Sequence, residues 1–155
     1  MHVRLIAVGD SPSDWVDQGF AEYARRLPHH WRFRFDSIAT APRSGRDLNA
    51  ARSKEGQKLM RLLKSDEYAV LLDERGKSLS SRDLASRLSD WQANGRDLCF
   101  LIGGPDGVSE DVRQRADFTW CLSNMTLPHG LARVLCAEQL YRAWTITQGH
   151  PYHRD

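Results

Sequence analysis

Leu98-Cys99-Phe100-Leu101-Ile102 is an apolar run that leads directly into the turn Gly103-Gly104-Pro105-Asp106-Gly107. A second run, Phe118-Thr119-Trp120-Cys121-Leu122, leads into Ser123-Asn124-Met125-Thr126-Leu127-Pro128-His129. Both runs have the length and composition of buried parallel strands. Because open α/β sheets bind their ligands in loops at the carboxyl ends of such strands, we predict that these two loops are adjacent and form a site.

The rest of the chain alternates between strand and helix patterns. Strands are predicted at Val3–Val8, from Phe33 to Ile38 and at Tyr68–Leu72. Helices are predicted after Ser11-Pro12, from Leu48 to about Leu63, after the capping box Ser80-x-x-Asp83, after Ser109-Glu110-Asp111, and from Leu131, the last being amphipathic and followed by the polar tail His150-Pro151-Tyr152-His153-Arg154. This order predicts an α/β fold with a mainly parallel sheet flanked by helices. We expect residues 1–155 to form one domain.

Composition limits the class of protein. Cys99, Cys121 and Cys136 lie in apolar stretches without Cys-x-x-Cys spacing, which favours buried reduced thiols over zinc ligands or disulfides. No apolar run approaches the roughly 18 residues of a membrane span, and no signal-peptide pattern opens the chain. We therefore expect a soluble, cytoplasmic protein without membrane contact.

Basic residues are unevenly distributed, although the net charge is only +2. Ten Lys or Arg residues and three acidic residues lie between Arg25 and Arg61, and Arg outnumbers Lys by 18 to 4 in the chain. Guanidinium groups bind phosphate oxygens in bidentate fashion, which suits an RNA backbone. The same pattern fits a solvated surface, so charge alone leaves both interpretations open.

The glycine-rich loop at residues 103–107 differs from the common nucleotide-binding motifs. It lacks the Gly-x-Gly-x-x-Gly spacing of dinucleotide-binding folds and the Lys-Ser/Thr pair of a P-loop. A dinucleotide or nucleoside triphosphate is therefore disfavoured. Its glycines allow close approach of a ligand to the backbone, and free N–H and C=O groups suit an uncharged adenine ring.

The carboxyl-terminal third resembles a known family. The motif Thr126-Leu127-Pro128-His129, then Arg133-Val134, Glu138-Gln139-Leu140-Tyr141-Arg142-Ala143 and the Tyr152-His153 tail are similar to the signature of the RlmH family, small SPOUT-class methyltransferases of large-subunit (23S) ribosomal RNA. Weaker matches are Val8-Gly9 and Lys54-Glu55-Gly56, and the resemblance covers the full chain. It implies S-adenosylmethionine as cofactor, methylation at N3 of a pseudouridine on the ribosome, and a homodimer. It also implies a deep trefoil knot within about residues 68–155, which no periodicity predicts.

The resemblance also assigns site residues. Cofactor contacts are expected from Leu72, Gly103, Gly104, Leu122, Ser123, Asn124, Met125, Thr126 and Leu127. The expected catalytic residues, which accept the N3 proton or position the RNA, are His129, Tyr152 and His153. RNA contacts are expected from Arg133, Arg142 and Arg154, while Arg142 can also form an ordinary helix-surface pair with Glu138. His150-x-x-His153 has no carboxylate or cysteine partner in the sequence, so no metal site is expected.

Two other functions stay open at this point. A related SPOUT enzyme acting on transfer RNA would share the pocket, and a non-enzymatic α/β RNA-binding module would explain the arginines. Cofactor binding separates the enzyme from the module, and substrate choice separates the two enzymes. The homodimer fits the apolar side chains of the last helix, which exceed the need of one sheet face: Leu131, Val134, Leu135, Tyr141 and Trp144. We expect one chain's tail to complete the other's pocket.

Overall fold

A computed structural model describes residues 1–9, 13–43 and 47–154. Its strands are β1 (Val3–Val8), β2 (Arg34–Ile38), β3 (Tyr68–Ser78), β4 (Leu98–Ile102) and β5 (Phe118–Cys121). Its helices are α1 (Asp14–Ala24), α2 (Leu48–Leu62), α3 (Ser81–Asn94), α4 (Glu110–Arg115) and α5 (His129–Gln148), with a 3₁₀ turn at His29–Trp31. The strands form one parallel sheet in the order β2-β1-β4-β3-β5. The predicted α/β fold with a parallel sheet is confirmed.

Alternating side chains of the sheet build a core on each face. Val3, Leu5 and Ala7 of β1 pack on the face covered by α1, α3 and α5, whereas Ile6 and Val8 pack on the face covered by α2 and α4. The five residues of β4 are all buried and divide between the two faces in the same way. A strand that is covered on both faces has a continuous apolar sequence, and for this reason β4 could be predicted from the sequence.

A local signal sets the start of helix α3. Ser80 and Asp83 form the predicted capping box at the start of α3, with Ser80 Oγ accepting from the Asp83 N–H at 3.0 Å. Helix α1 begins after Ser13 as its N-cap, while the predicted start at Ser11-Pro12 lies outside the described residues. The capping prediction for α3 is therefore confirmed.

Helix α5 differs from the prediction of an amphipathic helix starting at Leu131. It begins at His129, and its buried residues spread over more than half of its circumference at 100° per residue: Arg133, Cys136, Ala137, Glu138, Leu140, Tyr141, Ala143 and Thr145. The cause is packing on two sides, because α5 lies against both α1 and α3. A helix enclosed in this way has no single apolar stripe, and the prediction of amphipathicity was wrong.

Strand β3 is longer than predicted. The sequence predicts an end at Leu72, but β3 continues through polar residues to Ser78 and pairs with β5 in two registers, so that Trp120 lies opposite both Leu72 and Lys77. Gly76 makes this possible, because a Cβ there would lie 2.6 Å from the carbonyl carbon and oxygen of Thr119. The sheet edge at β5 therefore requires glycine at residue 76.

Within the described part of the chain, no helix is long and apolar enough to cross a bilayer.

Candidate active site

A cavity of ≈ 1040 Å³ lies at the carboxyl ends of the strands. Its walls come from Val8 and Gly9 after β1, from the loop after β4, from Leu72 and the residues after it in β3, and from the loop after β5. The first turns of α5 close one side. The two predicted loops do share this cavity, but β3 separates β4 from β5 in the sheet, so Leu72 lies between them.

Most of the residues expected to contact the cofactor line this cavity. They are Leu72, Gly103, Gly104, Leu122, Ser123, Met125, Thr126 and Leu127. Asn124 is exposed and lies outside the lining. Ser123 Oγ accepts from the Met125 N–H at 2.9 Å and shapes the turn, while the Met125 side chain is 77% exposed at the cavity mouth.

The glycine loop is packed too closely for side chains. A Cβ at Gly103 would lie 2.4 Å from Val108 Cγ1, and a Cβ at Gly104 would lie 2.8 Å from Glu55 Oε1. Gly107 has φ +83° and its N–H donates to the Gly104 carbonyl at 3.0 Å. The loop therefore has no room for side chains on the side of Val108 and Glu55, while its residues also line the cavity.

A buried carboxylate supports the glycine loop from below. Glu55 in α2 is 2% exposed, and its Oε2 accepts from the Ala41 N–H at 3.0 Å and from Arg43 Nη1 at 2.6 Å. Arg43 Nε in turn donates to Asp106 Oδ2 at 3.0 Å. Glu55 thus links α2, residues 41–43 and the glycine loop in one network.

Lys54-Glu55-Gly56 is one of the weaker matches to the family, and no role of Glu55 was predicted from it. A signal was present: Ala51, Glu55 and Leu59 are spaced by four residues, so the carboxylate lies on the buried face of α2. A charged residue on an apolar helix face needs a partner, and here it has two donors.

His129 sits where β1, β4 and α5 meet. Its ring makes a hydrogen bond to the Gly103 backbone, and a Cβ at Gly9 would lie 3.5 Å from its Nδ1. Burial lowers the pKa of His129, while the Gly103 hydrogen bond opposes that shift. At neutral pH the ring is therefore uncharged, with one nitrogen available to accept a proton.

Arg133 lies one helical turn after His129 and also lines the cavity. It is 3% exposed, and its guanidinium stacks over the Phe35 ring at 4.6 Å. Burial lowers the pKa of Arg133, and the charge of Asp17 acts in the opposite direction. Arg133 was predicted to contact RNA together with Arg142 and Arg154. The sequence does not show that Arg133 is buried while Arg142 is partly exposed and Arg154 is exposed.

The tail residues lie at the other end of α5. Tyr152 Oη donates to Glu138 Oε1 at 3.0 Å, and Arg142 binds the same oxygen through Nη2 at 2.6 Å, which confirms the predicted ion pair. Arg142 Nη1 also donates to the His153 carbonyl at 3.5 Å. Burial and Glu138 raise the pKa of Tyr152, so its hydroxyl stays protonated near neutrality.

This tail cluster does not reach the cavity of its own chain. Arg142 follows His129 by 13 residues, or about 20 Å along the helix axis. Tyr152, His153, Arg142 and Arg154 are absent from the cavity lining, and Arg154 is exposed. Of the three expected catalytic residues, the structure therefore brings only His129 to the cavity within one chain.

Within residues 1–9, 13–43 and 47–154, no group of three His, Cys, Asp or Glu side chains is placed to hold a metal ion. His150 Nδ1 accepts from the Tyr152 N–H at 3.1 Å. Cys99, Cys121 and Cys136 are buried free thiols, as predicted.

Comparison with known proteins identifies the relatives of the chain. A family model described as a predicted SPOUT methyltransferase matches residues 1–153. Proteins named ribosomal RNA large subunit methyltransferase H are 48% identical in Paraburkholderia phymatum, with 99% of each chain covered, and 45% identical in Thioalkalivibrio sulfidiphilus, with 100% of each chain covered.

Two solved structures share the fold. A probable methylase family protein from Haemophilus influenzae has a TM-score of 0.52 at 13% identity and covers 99% of this chain and 70% of its own. A putative methylase family protein from Neisseria gonorrhoeae has a TM-score of 0.56 at 14% identity, with 90% and 81% covered. At these identities the likeness concerns the fold alone.

Proposed function

Because the chain belongs to the SPOUT methyltransferase family, we propose that it transfers a methyl group from S-adenosylmethionine to N3 of a pseudouridine in large-subunit ribosomal RNA. The observation that carries this proposal is the cavity at the strand ends, whose glycine loop is packed too tightly for a Cβ. The chain is 48% and 45% identical, over its full length, to proteins named for methylation of large-subunit ribosomal RNA, which supports this choice of substrate. That substrate would place the enzyme in the cytoplasm.

The residues of the cavity fit the cofactor. Its volume is at the upper end of the range for small-molecule sites, leaving room for both cofactor and a target base. Leu72, Leu122 and Leu127 would enclose the adenine, and backbone groups of Gly103 and Gly104 would bind its edge. When bound, the cofactor supplies an electrophilic methyl group on a sulfonium sulfur.

The remaining chemistry belongs to the protein. N3 of pseudouridine carries a proton that must leave when the nitrogen–methyl bond forms, and the neutral ring of His129 can accept it inside the cavity. The ring is held by its Gly103 hydrogen bond, so its free nitrogen has a fixed direction. Tyr152 would position the RNA through its ring and as a hydrogen-bond acceptor, since its hydroxyl proton is donated to Glu138 and its raised pKa keeps that proton in place.

A homodimer would bring the tail to the cavity. The cavity of the same chain is too far from Arg142, near the end of α5, and from the tail residues beyond α5, Tyr152, His153 and Arg154. The tail of a second copy would instead lie at the cavity mouth. Leu131, Val134, Leu135 and Trp144 remain partly exposed and supply apolar surface for such contact. Arg142 and Arg154 would then bind RNA phosphates beside the cofactor. Sedimentation at micromolar concentration should show a dimer, and a clean monomer would contradict this arrangement.

Two further expectations accompany the dimer. Residues 1–155 would act as one domain, and the chain from about residue 68 would form the trefoil knot implied by the family. The position of β3 between β4 and β5, which both follow it in the sequence, is compatible with that topology.

Methyl transfer tests the function directly. Labelled S-adenosylmethionine is incubated with assembled ribosomes and free large subunits that carry the pseudouridine but lack its N3 methyl group, and with transfer RNA, using the wild type and Gly103→Ala. We expect label at pseudouridine N3 of large-subunit RNA with the wild type and much less with the variant. Label in transfer RNA alone would show that the substrate is transfer RNA. No label together with no cofactor binding would indicate that the protein is a non-enzymatic RNA-binding module.

A further inference from the structure

Arg133 is a buried cation that forms no salt bridge with a carboxylate in the part of the chain that the structure describes, and the charge of exposed Asp17 acts on it only from beyond ion-pair distance. It is 3% exposed, and its Nε is fully buried without a hydrogen-bond partner among those residues. The Phe35 ring at 4.6 Å orients the guanidinium plane but cannot neutralise its charge. Burying a charge without a partner is costly, so such a group is expected where a ligand supplies the missing charge.

The other arginines of the cavity are satisfied within the chain or by water. Arg113 Nη1 pairs with Asp73 Oδ2 at 2.9 Å, and Arg52 Nη1 donates to the Asp106 carbonyl at 3.4 Å. Arg75 is exposed. Arg133 therefore differs from its neighbours because it is buried and forms no direct ion pair with a described carboxylate.

The surroundings of Arg133 suit a small planar anion. A Cβ at Gly9 would lie 3.9 Å from Arg133 Nη2 and 3.5 Å from His129 Nδ1. A ligand bound next to Gly9 would therefore contact both side chains. A guanidinium matches a carboxylate through two parallel hydrogen bonds. Arg133 is only 3% exposed, so the phosphate of a bulky RNA backbone does not reach its guanidinium.

Resting on the proposed function, we infer that Arg133 binds the α-carboxylate in the methionine part of S-adenosylmethionine. The cofactor carries a single carboxylate, and the position agrees with the rest of the cavity. The expected adenine contacts, Leu72 and Leu122, lie at β3 and after β5, whereas Arg133 lies beside the end of β1. With the strand order β1-β4-β3-β5, the ends of β3 and β5 lie about 10 and 14 Å from the end of β1. The cofactor would then lie across the strand ends, with its amino-acid part toward β1.

Two ligands that differ in the amino-acid part test this inference. S-adenosylhomocysteine has the carboxylate, while 5′-methylthioadenosine has the same adenosine and thioether without it. Calorimetry with Arg133→Met should show a roughly 10- to 100-fold loss of affinity for S-adenosylhomocysteine, the worth of a charged hydrogen bond. Affinity for 5′-methylthioadenosine should stay within about twofold of the wild type, because that ligand does not meet Arg133.

Arg87→Met is the matched control. Arg87 also stacks over an aromatic ring, Phe118 at 4.0 Å, but lies on α3 outside the cavity. This control should change neither affinity. Arg133→Lys, which keeps the charge, should fall between the wild type and Arg133→Met for S-adenosylhomocysteine alone, and it serves if the methionine variant does not fold.

The opposite results are equally clear. An equal loss for both ligands would show that Arg133 maintains the shape of the cavity, and no loss for either would show that it does not contact the cofactor. Both results overturn the inference. If the wild type binds neither ligand, the proposed function itself fails, which is a distinct outcome.

Discussion

Gly103→Ala tests the tight packing of the glycine loop. The new methyl carbon would lie 2.4 Å from Val108 Cγ1, whereas carbon atoms in contact are normally about 3.5–4.0 Å apart. The two carbons must therefore separate by at least about 1 Å. Val108 is 7% exposed and packs in the core beneath the loop, so it cannot turn into solvent. We expect a loss of about 1–3 kcal/mol in the free energy of unfolding, as for other overpacked cores.

Thermal and denaturant unfolding measure this loss. For a protein of this length each kcal/mol lowers Tm by about 2–4 °C, so Gly103→Ala should lower it by roughly 2–12 °C. Val108→Ala alone should cost about 1–2 kcal/mol for two methyl groups. In the double variant the clash with Val108 is absent and only the milder contacts with the Gly107 backbone at 3.2 and 3.3 Å remain, so the combined loss should fall short of the sum of the single losses by about 1 kcal/mol or more. Additive losses, within about 0.5 kcal/mol, would refute the reasoning.

Gly95→Ala separates stability from binding. Gly95 has φ +78° at the end of α3, with open space around it and no contact with the cavity. Alanine there should cost about 1 kcal/mol through backbone strain alone. We expect Gly95→Ala to bind S-adenosylhomocysteine as the wild type does and Gly103→Ala to bind it more weakly. Equal affinities of the two variants would show that the loop does not contact the cofactor.

Three further predictions concern the support of the site and the fold. Glu55→Gln should lower Tm and speed amide hydrogen exchange of residues 103–107, because Arg43 loses one of its two carboxylate partners and keeps only Asp106; unchanged exchange would show that the network does not stabilise the loop. His129→Asn should flatten the pH dependence of stability: the folded pKa of His129 is lowered, so the unfolded state binds its proton first and the wild type loses stability as pH falls below about 6.5. Equal losses between pH 7.5 and 5.5 would contradict this. Ser80→Ala removes the capping box and should cost about 1 kcal/mol, or about 2–4 °C in Tm, in thermal unfolding.

The sequence predicts those parts of the fold that depend on local pattern. The apolar run at Leu98–Ile102 and the Ser80 capping box report directly on β4 and α3, because burial on both faces and a cap each leave a distinct local pattern. The order of the strands is set by packing between distant segments, so the sequence alone did not place Leu72 between the two loops. The polar extension of β3 is stabilised by pairing with β5 rather than by burial, and it leaves no apolar signal.

The candidate site divides in the same way. The loops and His129 could be predicted because glycine and histidine carry their chemistry in the residue type. The roles of Glu55 and Arg133 depend on burial, which follows from how α2 and α5 pack against the sheet. The sequence does not distinguish Arg133, on the buried face of α5, from Arg142, which is less buried on the same helix.

The strand order also bears on how the chain folds as it is synthesised. β1 pairs with β4 residue by residue from Val3 with Leu98, so the second neighbour of the first strand is made 95 residues later. At about 5–20 residues per second, β1 waits roughly 5–20 s for that partner. During this time the pair of β1 and β2 has one open, apolar edge, which can pair with other chains. The nascent chain therefore gains its protected sheet only late in translation, and its yield in cells should depend on how well that edge is shielded until β4 emerges.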